Sequence, residues 1–155
     1  MDSTFGRLIA DLSTRFTGLP VEAVDGEIER ALRLLVERLE TDRGTFFLID
    51  PDGRLTITHS WAREGLPPTT PATISRMTWY VTTLARGDAI ALSRLPDDLP
   101  LEADGEREYT RSAGMKSNLS VPIAVGGRYV CALATGAFRE YRAWDEETID
   151  RARLV

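Results

Sequence analysis

The stretch from Ser117 to Gly136 constrains the fold most, because alternation, turn chemistry and register agree there. Leu119, Val121, Ile123 and Val125 alternate with Asn118, Ser120, Pro122 and Ala124, Gly126-Gly127 interrupts, and a second extended run follows from Arg128 to Thr135. Alternation on both sides of a Gly-Gly pair is the signal of a β-hairpin. A two-residue turn at the glycines sets Val125 opposite Arg128. Counting outward sets Ile123 opposite Val130, Val121 opposite Ala132 and Leu119 opposite Ala134. One face is then aliphatic. The other carries Asn118 with Thr135, Ser120 with Leu133, Pro122 with Cys131 and Ala124 with Tyr129, a mixed face with small polar groups. Pro122 falls at a non-hydrogen-bonded site in this register, so its missing N–H points away from the hairpin partner. The expectation is an aliphatic face packed on helices and a mixed face looking into a cavity.

A chain of 155 residues fits one domain, and a globule of that size buries roughly 70% of the surface its unfolded chain exposes. No apolar run approaches the roughly 18 residues of a membrane span, and Met1-Asp2-Ser3-Thr4 lacks a signal-peptide pattern. The chain therefore reads as cytoplasmic, with no membrane partner. Cys131 is the single cysteine and His59 the single histidine, which excludes an internal disulfide and leaves too few soft ligands for zinc. The net charge is −5, and the 19 basic residues are spread along the chain. That argues against a direct nucleic-acid contact.

In chain order, Phe5, Leu8, Ile9, Leu12 and Phe16 recur at helical spacing, and the first 20 residues are expected to be a helix and linker. A second helix has the stripe Ile28, Leu32, Leu35, Val36 and Leu39, with Asp25 and Glu27 at its start and Glu29 spaced to pair with Arg33. Gly44 to Ile49 is extended, Asp50-Pro51-Asp52-Gly53 is a turn, and Arg54 to Trp61 alternates again. Leu55, Ile57, His59 and Trp61 are expected to share a face. A proline-rich loop then leads to a helix from about Ile74 to Arg86. Ala89 to Leu92 is a short strand, and Pro96 opens a helix with acidic residues early, ending at Gly114, with Tyr109 and Ala113 inward. Trp144-Asp145 starts a last helix that reaches Val155 without a stop signal, so the natural chain is expected to continue.

The fold class is α+β: a central antiparallel sheet of about five to six strands, terminal helices on one face and inserted helices over a pocket on the other. The succession resembles the GAF domain, the small-molecule-sensing module of signalling proteins. The residues that carry the likeness are Thr41 to Ile49, Ser117-Asn118-Leu119-Ser120-Val121-Pro122-Ile123 with Gly126-Gly127, and Trp144-Asp145-Glu146-Glu147. The run Leu19 to Asp25, with His59-Ser60-Trp61 and Trp79, is similar to GAF domains at the front of bacterial sensor kinases and enhancer-type transcription activators. The resemblance implies a GAF domain over residues 21–155, sheet order 2-1-5-4-3, a pocket under the inserted helices, and a final helix leading to a linked output domain. It names no cofactor or ligand. The Asn-Lys and Phe-Asp-Glu signature of cyclic-nucleotide-binding members is missing, and Cys131 lies on a predicted strand rather than in the insert where bilin-binding members carry their attachment cysteine.

Within that frame the ligand-facing candidates are His59, Trp61, Trp79, Tyr80, Tyr109, Asn118, Ser120, Leu133 and Thr135. Trp61 and Trp79 suit stacking on a flat ligand, or core packing between strand and helix. His59 is a possible ligand contact or a satisfied structural histidine. Cys131 is either a redox sensor or a buried inert thiol. The acidic set Asp97, Asp98, Glu102, Asp104, Glu106 and Glu108 follows a helix start and reads as a solvated face. Arg86, Arg94 and Arg111 border the insert and read as surface arginines. Two roles are weighed: a regulatory sensor for an unidentified small molecule that signals through its terminal helices, and a ligandless homodimerisation module. GAF-like enzymes that reduce methionine sulfoxide cycle through a disulfide, which one cysteine cannot form, so no enzymatic role is assigned to this segment.

Overall fold

The computed structural model describes residues 21–67 and 71–147. The expected helix in residues 1–20 lies outside them, and of the last helix only Glu146 and Glu147 lie inside. Six strands form one antiparallel sheet: β1 (Arg43–Asp50), β2 (Arg54–Ala62), β3 (Ala72–Ile74), β4 (Ile90–Leu92), β5 (Ser117–Val125) and β6 (Arg128–Ala137). Their order is β3-β2-β1-β6-β5-β4. Without the short edge strand β3, that is the order 2-1-5-4-3 implied by the resemblance.

Helix α1 (Val21–Leu39) covers one face of the sheet. Its inward residues Ile28, Ala31, Leu32 and Leu35 meet Phe46 of β1, Leu119, Val121 and Ile123 of β5, and Cys131 and Leu133 of β6. Arg33 pairs with Glu37 at 3.2 Å rather than with Glu29, and its guanidinium lies 5.8 Å from the Trp61 ring.

Helices α2 (Thr78–Ala85) and α3 (Asp104–Ala113) and the loop between β4 and α3 cover the opposite face. Helix α2 begins later than its apolar spacing suggests. Ala72–Ile74 instead pairs along the open edge of β2, where Pro71 and the β-branched Thr73 and Ile74 favour extension. The inserted helix before Gly114 is likewise shorter than expected. The Asp98 carboxylate accepts the N–H groups of Ser93 and Arg94 at 3.0 and 2.9 Å, a local arrangement that competes with helix, and Asp104 is the first helical residue.

The central hairpin forms, with positive φ at both Gly126 and Gly127 as a type I′ turn requires. Its register departs from the simple count. Val125 faces Arg128 and Ala124 faces Tyr129, but Ile123 faces Cys131, so Val130 is an extra residue in β6. A bulge of one residue exchanges the faces of everything beyond it. Leu133, Thr135 and Cys131 therefore lie on the α1 side, whereas Ala132, Ala134 and Gly136 lie under the inserted helices. A second bulge does the same in β2, where Phe46 pairs with His59 and Phe47 with Ile57, leaving Thr58 extra. Leu55 and Ile57 thus face the insert, while His59 and Trp61 face α1.

Candidate functional site

The central strand β6 presents Ala132, Ala134 and Gly136 in succession to the inserted helices. Small residues in the middle of a sheet leave space above it. A cavity of about 60 Å³ lies there, between the sheet and the insert. Its floor includes Arg43, Thr45 and Phe47 of β1, Leu55 and Ile57 of β2, and Asn118 of β5. Its roof is built by Met77, Tyr80, Leu95, Leu99, Glu106 and Tyr109. A wider groove at the hairpin tip, lined by Ile49, Val81, Tyr129 and Val130 among others, has no converging set of buried polar groups.

The polar groups of the cavity have defined partners. Tyr80 Oη bonds Ser120 Oγ, which donates to Asn118 Oδ1, so the tyrosine hydroxyl is the donor at the head of the chain. Burial pushes the Tyr80 phenol well above its ordinary pKa, more than its bond to Ser120 lowers it, which keeps the hydroxyl protonated. The amide N–H of Asn118 reaches only the Met115 thioether, at 3.7 Å, a weak acceptor. On the roof, Glu106 is 3% exposed and its Oε2 accepts the backbone N–H of Tyr80 at 2.8 Å. Met77, the N-cap of α2, supplies no side-chain cap, so a carboxylate from α3 satisfies an orphan donor of the first turn of α2. The acidic set is therefore not a uniform solvated face. Glu106 points inward, whereas Glu108 pairs with Arg76 at 2.8 Å and Asp104 with Arg107 at 2.9 Å at exposed positions.

Of the residues expected to face a ligand, Tyr80, Tyr109 and Asn118 line the cavity, and Ser120 lies in the hydrogen-bond chain behind Asn118. Trp79 packs at the edge of the insert-side core without lining the cavity. Four lie on the other face of the sheet, carried there by the two bulges. His59 Nε2 is 2.8 Å from Asp25 Oδ1 of α1, and its Nδ1 is 2.8 Å from Thr58 Oγ1. Trp61 and Leu133 pack with α1, and the buried Thr135 hydroxyl bonds that of Thr41. Cys131 is also on the α1 side, where burial pushes its thiol pKa up to about 11. Arg43 and Glu106 were not among the expected site residues. The signal for the cavity itself was the alternation Ala132, Ala134, Gly136, three small residues on one side of a central strand.

No cluster of three or more His, Cys, Asp or Glu residues suited to a metal is present among the described residues. No helix among them is long and apolar enough to cross a membrane.

An antiparallel sheet with a largely apolar cavity carrying a few polar groups, roofed by an insert between its fourth and fifth strands and by the helix preceding the fourth, defines a class of α+β domain. Residues 24–155 match the family model of the GAF domain, and the chain belongs to that family. Its fold is similar to that of the PixJ GAF domain of Thermosynechococcus elongatus in its blue-light-absorbing form, at 19% identity and a TM-score of 0.68, over 94% of this chain and 80% of that one. It is also similar to the photoproduct state of the third GAF domain of Slr1393 from Synechocystis sp. PCC6803, at 17% identity and a TM-score of 0.66, over 83% and 86%. A third likeness is to the phycocyanobilin-bound GAF domain of a cyanobacterial phytochrome, at 17% identity and a TM-score of 0.65, over 96% and 91%. No curated protein matches the sequence.

Proposed function

We propose that the domain is the sensory part of a bacterial signalling protein, a sensor kinase or transcription regulator, in which a small molecule in the cavity changes the state of the chain that leaves β6. The observation that carries this reading is where that exit segment is anchored. Asp42 accepts the backbone N–H groups of Phe138 and Arg139 at 2.6 and 3.1 Å. Ser117 Oγ accepts the N–H of Arg142 at 2.7 Å, and the Trp144 indole donates to the carbonyl of Leu92 at 3.2 Å. Each anchor adjoins the cavity: Asp42 precedes Arg43, Ser117 precedes Asn118, and Leu92 lines the cavity itself. A ligand that draws β1, β4 or β5 toward the inserted helices therefore acts on the exit segment directly. It shifts the equilibrium only by its difference in affinity for the two arrangements, about 1.4 kcal/mol per tenfold.

In this reading the signal passes to a covalently linked output domain within a homodimer, and the segment itself performs no chemistry. The ligand is not a bilin held through a thioether, because the one cysteine lies on the α1 face, away from the cavity.

The test is a thermal-shift screen of a metabolite panel against the wild type and Ala134→Met, whose longer side chain occupies the cavity above the central strand. Compounds that raise the wild-type Tm and leave the variant unmoved support the reading. A panel without such compounds refutes it and favours a ligandless dimerisation module.

A further inference from the structure

The charges left unmatched in the cavity point to the chemistry of its occupant, an inference that rests on the ligand-sensing reading above. Arg43 and Asn118 lie in one row across the sheet, each paired with Gly136, which has no side chain of its own. Phe138 and Met115 pack over Gly136, 3.2 and 3.4 Å from where a Cβ there would stand, and the Arg43 guanidinium lies 4.5 Å from the Phe138 ring. Among the described residues, that guanidinium has neither an ion pair nor a hydrogen bond. Burial is the larger influence on it and lowers its proton affinity, with Tyr109 opposing. A cation partly withdrawn from water without a counter-charge is unfavourable, and such groups cluster at binding sites. Across Gly136 from it, the Asn118 amide has an N–H that no strong acceptor engages. This end of the cavity is a pair of donors without an anion.

The roof has the opposite character. Glu106 is buried, and one of its carboxylate oxygens is taken by the N–H of Tyr80 while the other has no partner among the described residues. Between the two charged groups the walls are apolar, from Leu55, Ile57, Ile74, Leu92 and Leu99. An occupant that satisfies both ends carries an anion and a cationic donor on a short apolar frame.

We propose that the cavity takes a small zwitterion of amino-acid type, its carboxylate held by Arg43 and Asn118 and its ammonium by the free oxygen of Glu106. Arginine suits the first role because its planar fork matches a carboxylate bidentately. Size agrees: a cavity of about 60 Å³ has room for about four to six water-sized groups. Alanine lies at the upper limit of that size, and 4-aminobutanoate, one non-hydrogen atom larger, enters only if the insert moves outward.

The experiment is titration calorimetry of the domain with alanine and 4-aminobutanoate, against propanoate and butanoate, which lack the ammonium, and propylamine, which lacks the carboxylate. One of the zwitterions is expected to bind at least about tenfold more tightly than its singly charged analogues. Arg43→Gln is expected to weaken that zwitterion at least about tenfold, with Arg43→Lys recovering part of the loss. Glu106→Gln keeps an acceptor for the Tyr80 N–H, so the fold is retained, and it is expected to abolish the preference for the zwitterion over its carboxylate analogue. Equal binding of zwitterion and carboxylate by the wild type, or an unaltered zwitterion affinity in Arg43→Gln, overturns the inference. A neutral or purely cationic compound that binds the wild type but not Ala134→Met overturns it and leaves the sensing reading standing. Failure of every small molecule to bind overturns both.

Discussion

Replacing Asp42 by asparagine keeps the shape of the side chain and removes the charge that ties the exit segment to β1. Asp42 is 4% exposed, and its carboxylate accepts the N–H groups of Phe138 and Arg139 and the Arg139 Nε, the last at 2.7 Å. Burial by itself pushes this carboxyl up. The backbone bonds from Phe138 and Arg139, followed by the Arg139 guanidinium, more than offset it and hold the pKa below the ordinary aspartate value. The Arg139 side chain is two-thirds exposed, so its ion pair is screened and contributes little. Most of the loss falls on the two backbone donors. Whichever way asparagine turns, its NH₂ faces one of the groups that donated to the carboxylate. Both backbone donors share Oδ2 and the exposed Arg139 side chain takes Oδ1, so asparagine keeps the two backbone bonds without charge assistance, a loss of about 2–3 kcal/mol. In a domain of this size that lowers Tm by about 4–12 °C.

The pH dependence has a fixed sign. A depressed carboxyl stabilises the fold fully above the unfolded value of about 3.9 and loses that contribution as pH falls through the folded value. Urea unfolding followed by tryptophan fluorescence should thus show the whole wild-type advantage at about pH 7 and a narrowing one toward about pH 2. A gap below about 0.5 kcal/mol near neutrality, the size of an ordinary surface substitution, refutes the reasoning. So does a gap that stays constant with pH.

Two further outcomes follow from the packing. A Cβ at Gly105, in the first turn of α3, would lie 1.7 Å from the Arg76 carbonyl oxygen, and this is backbone that cannot swing aside. Gly105→Ala should therefore lower the urea midpoint by an amount equivalent to about 1–3 kcal/mol, and an unchanged midpoint contradicts the close approach of insert and loop. Cys131 is 4% exposed and its thiol is pushed up to about 11, so at neutral pH it holds almost no thiolate. Iodoacetamide should label it slowly in the native protein and at the rate of a free cysteine in urea. Prompt native labelling contradicts the burial.

The antiparallel sheet, the strand order and the covering helices were legible because they rest on patterns longer than one element. The Gly-Gly turn fixed the hairpin, and the Ile28 to Leu39 stripe fixed which face of α1 is buried. Which residues of β2 and β6 face the cavity was not legible, because it depends on two single-residue bulges, at Thr58 and Val130. Neither is a glycine, and neither announces itself: Thr and Val are good strand formers, and the alternation around each reads as continuous. One extra residue in β6 moved Leu133 and Thr135 to the helix side and brought Ala132 and Ala134 under the insert. Asn118, Ser120, Tyr80 and Tyr109 escaped because they precede the turn or stand on helices. Glu106 was hidden for a different reason. It shares a helix face with Tyr109, three residues on, but a carboxylate reads as solvated, and the buried partner that holds it inward, the N–H of Tyr80, stands on another helix.

The central claim is that a small molecule occupies the cavity over Ala134 and is felt by the chain leaving β6. The most direct measurement is an amide NMR titration of the domain with a compound that raises its Tm. Shifts should concentrate at Arg43, Asn118, Ala134 and Gly136, extend to Phe138 and Arg142, and vanish in Ala134→Met. Shifts confined to the α1 face around His59, Trp61 and Cys131, or persisting in the variant, would contradict it.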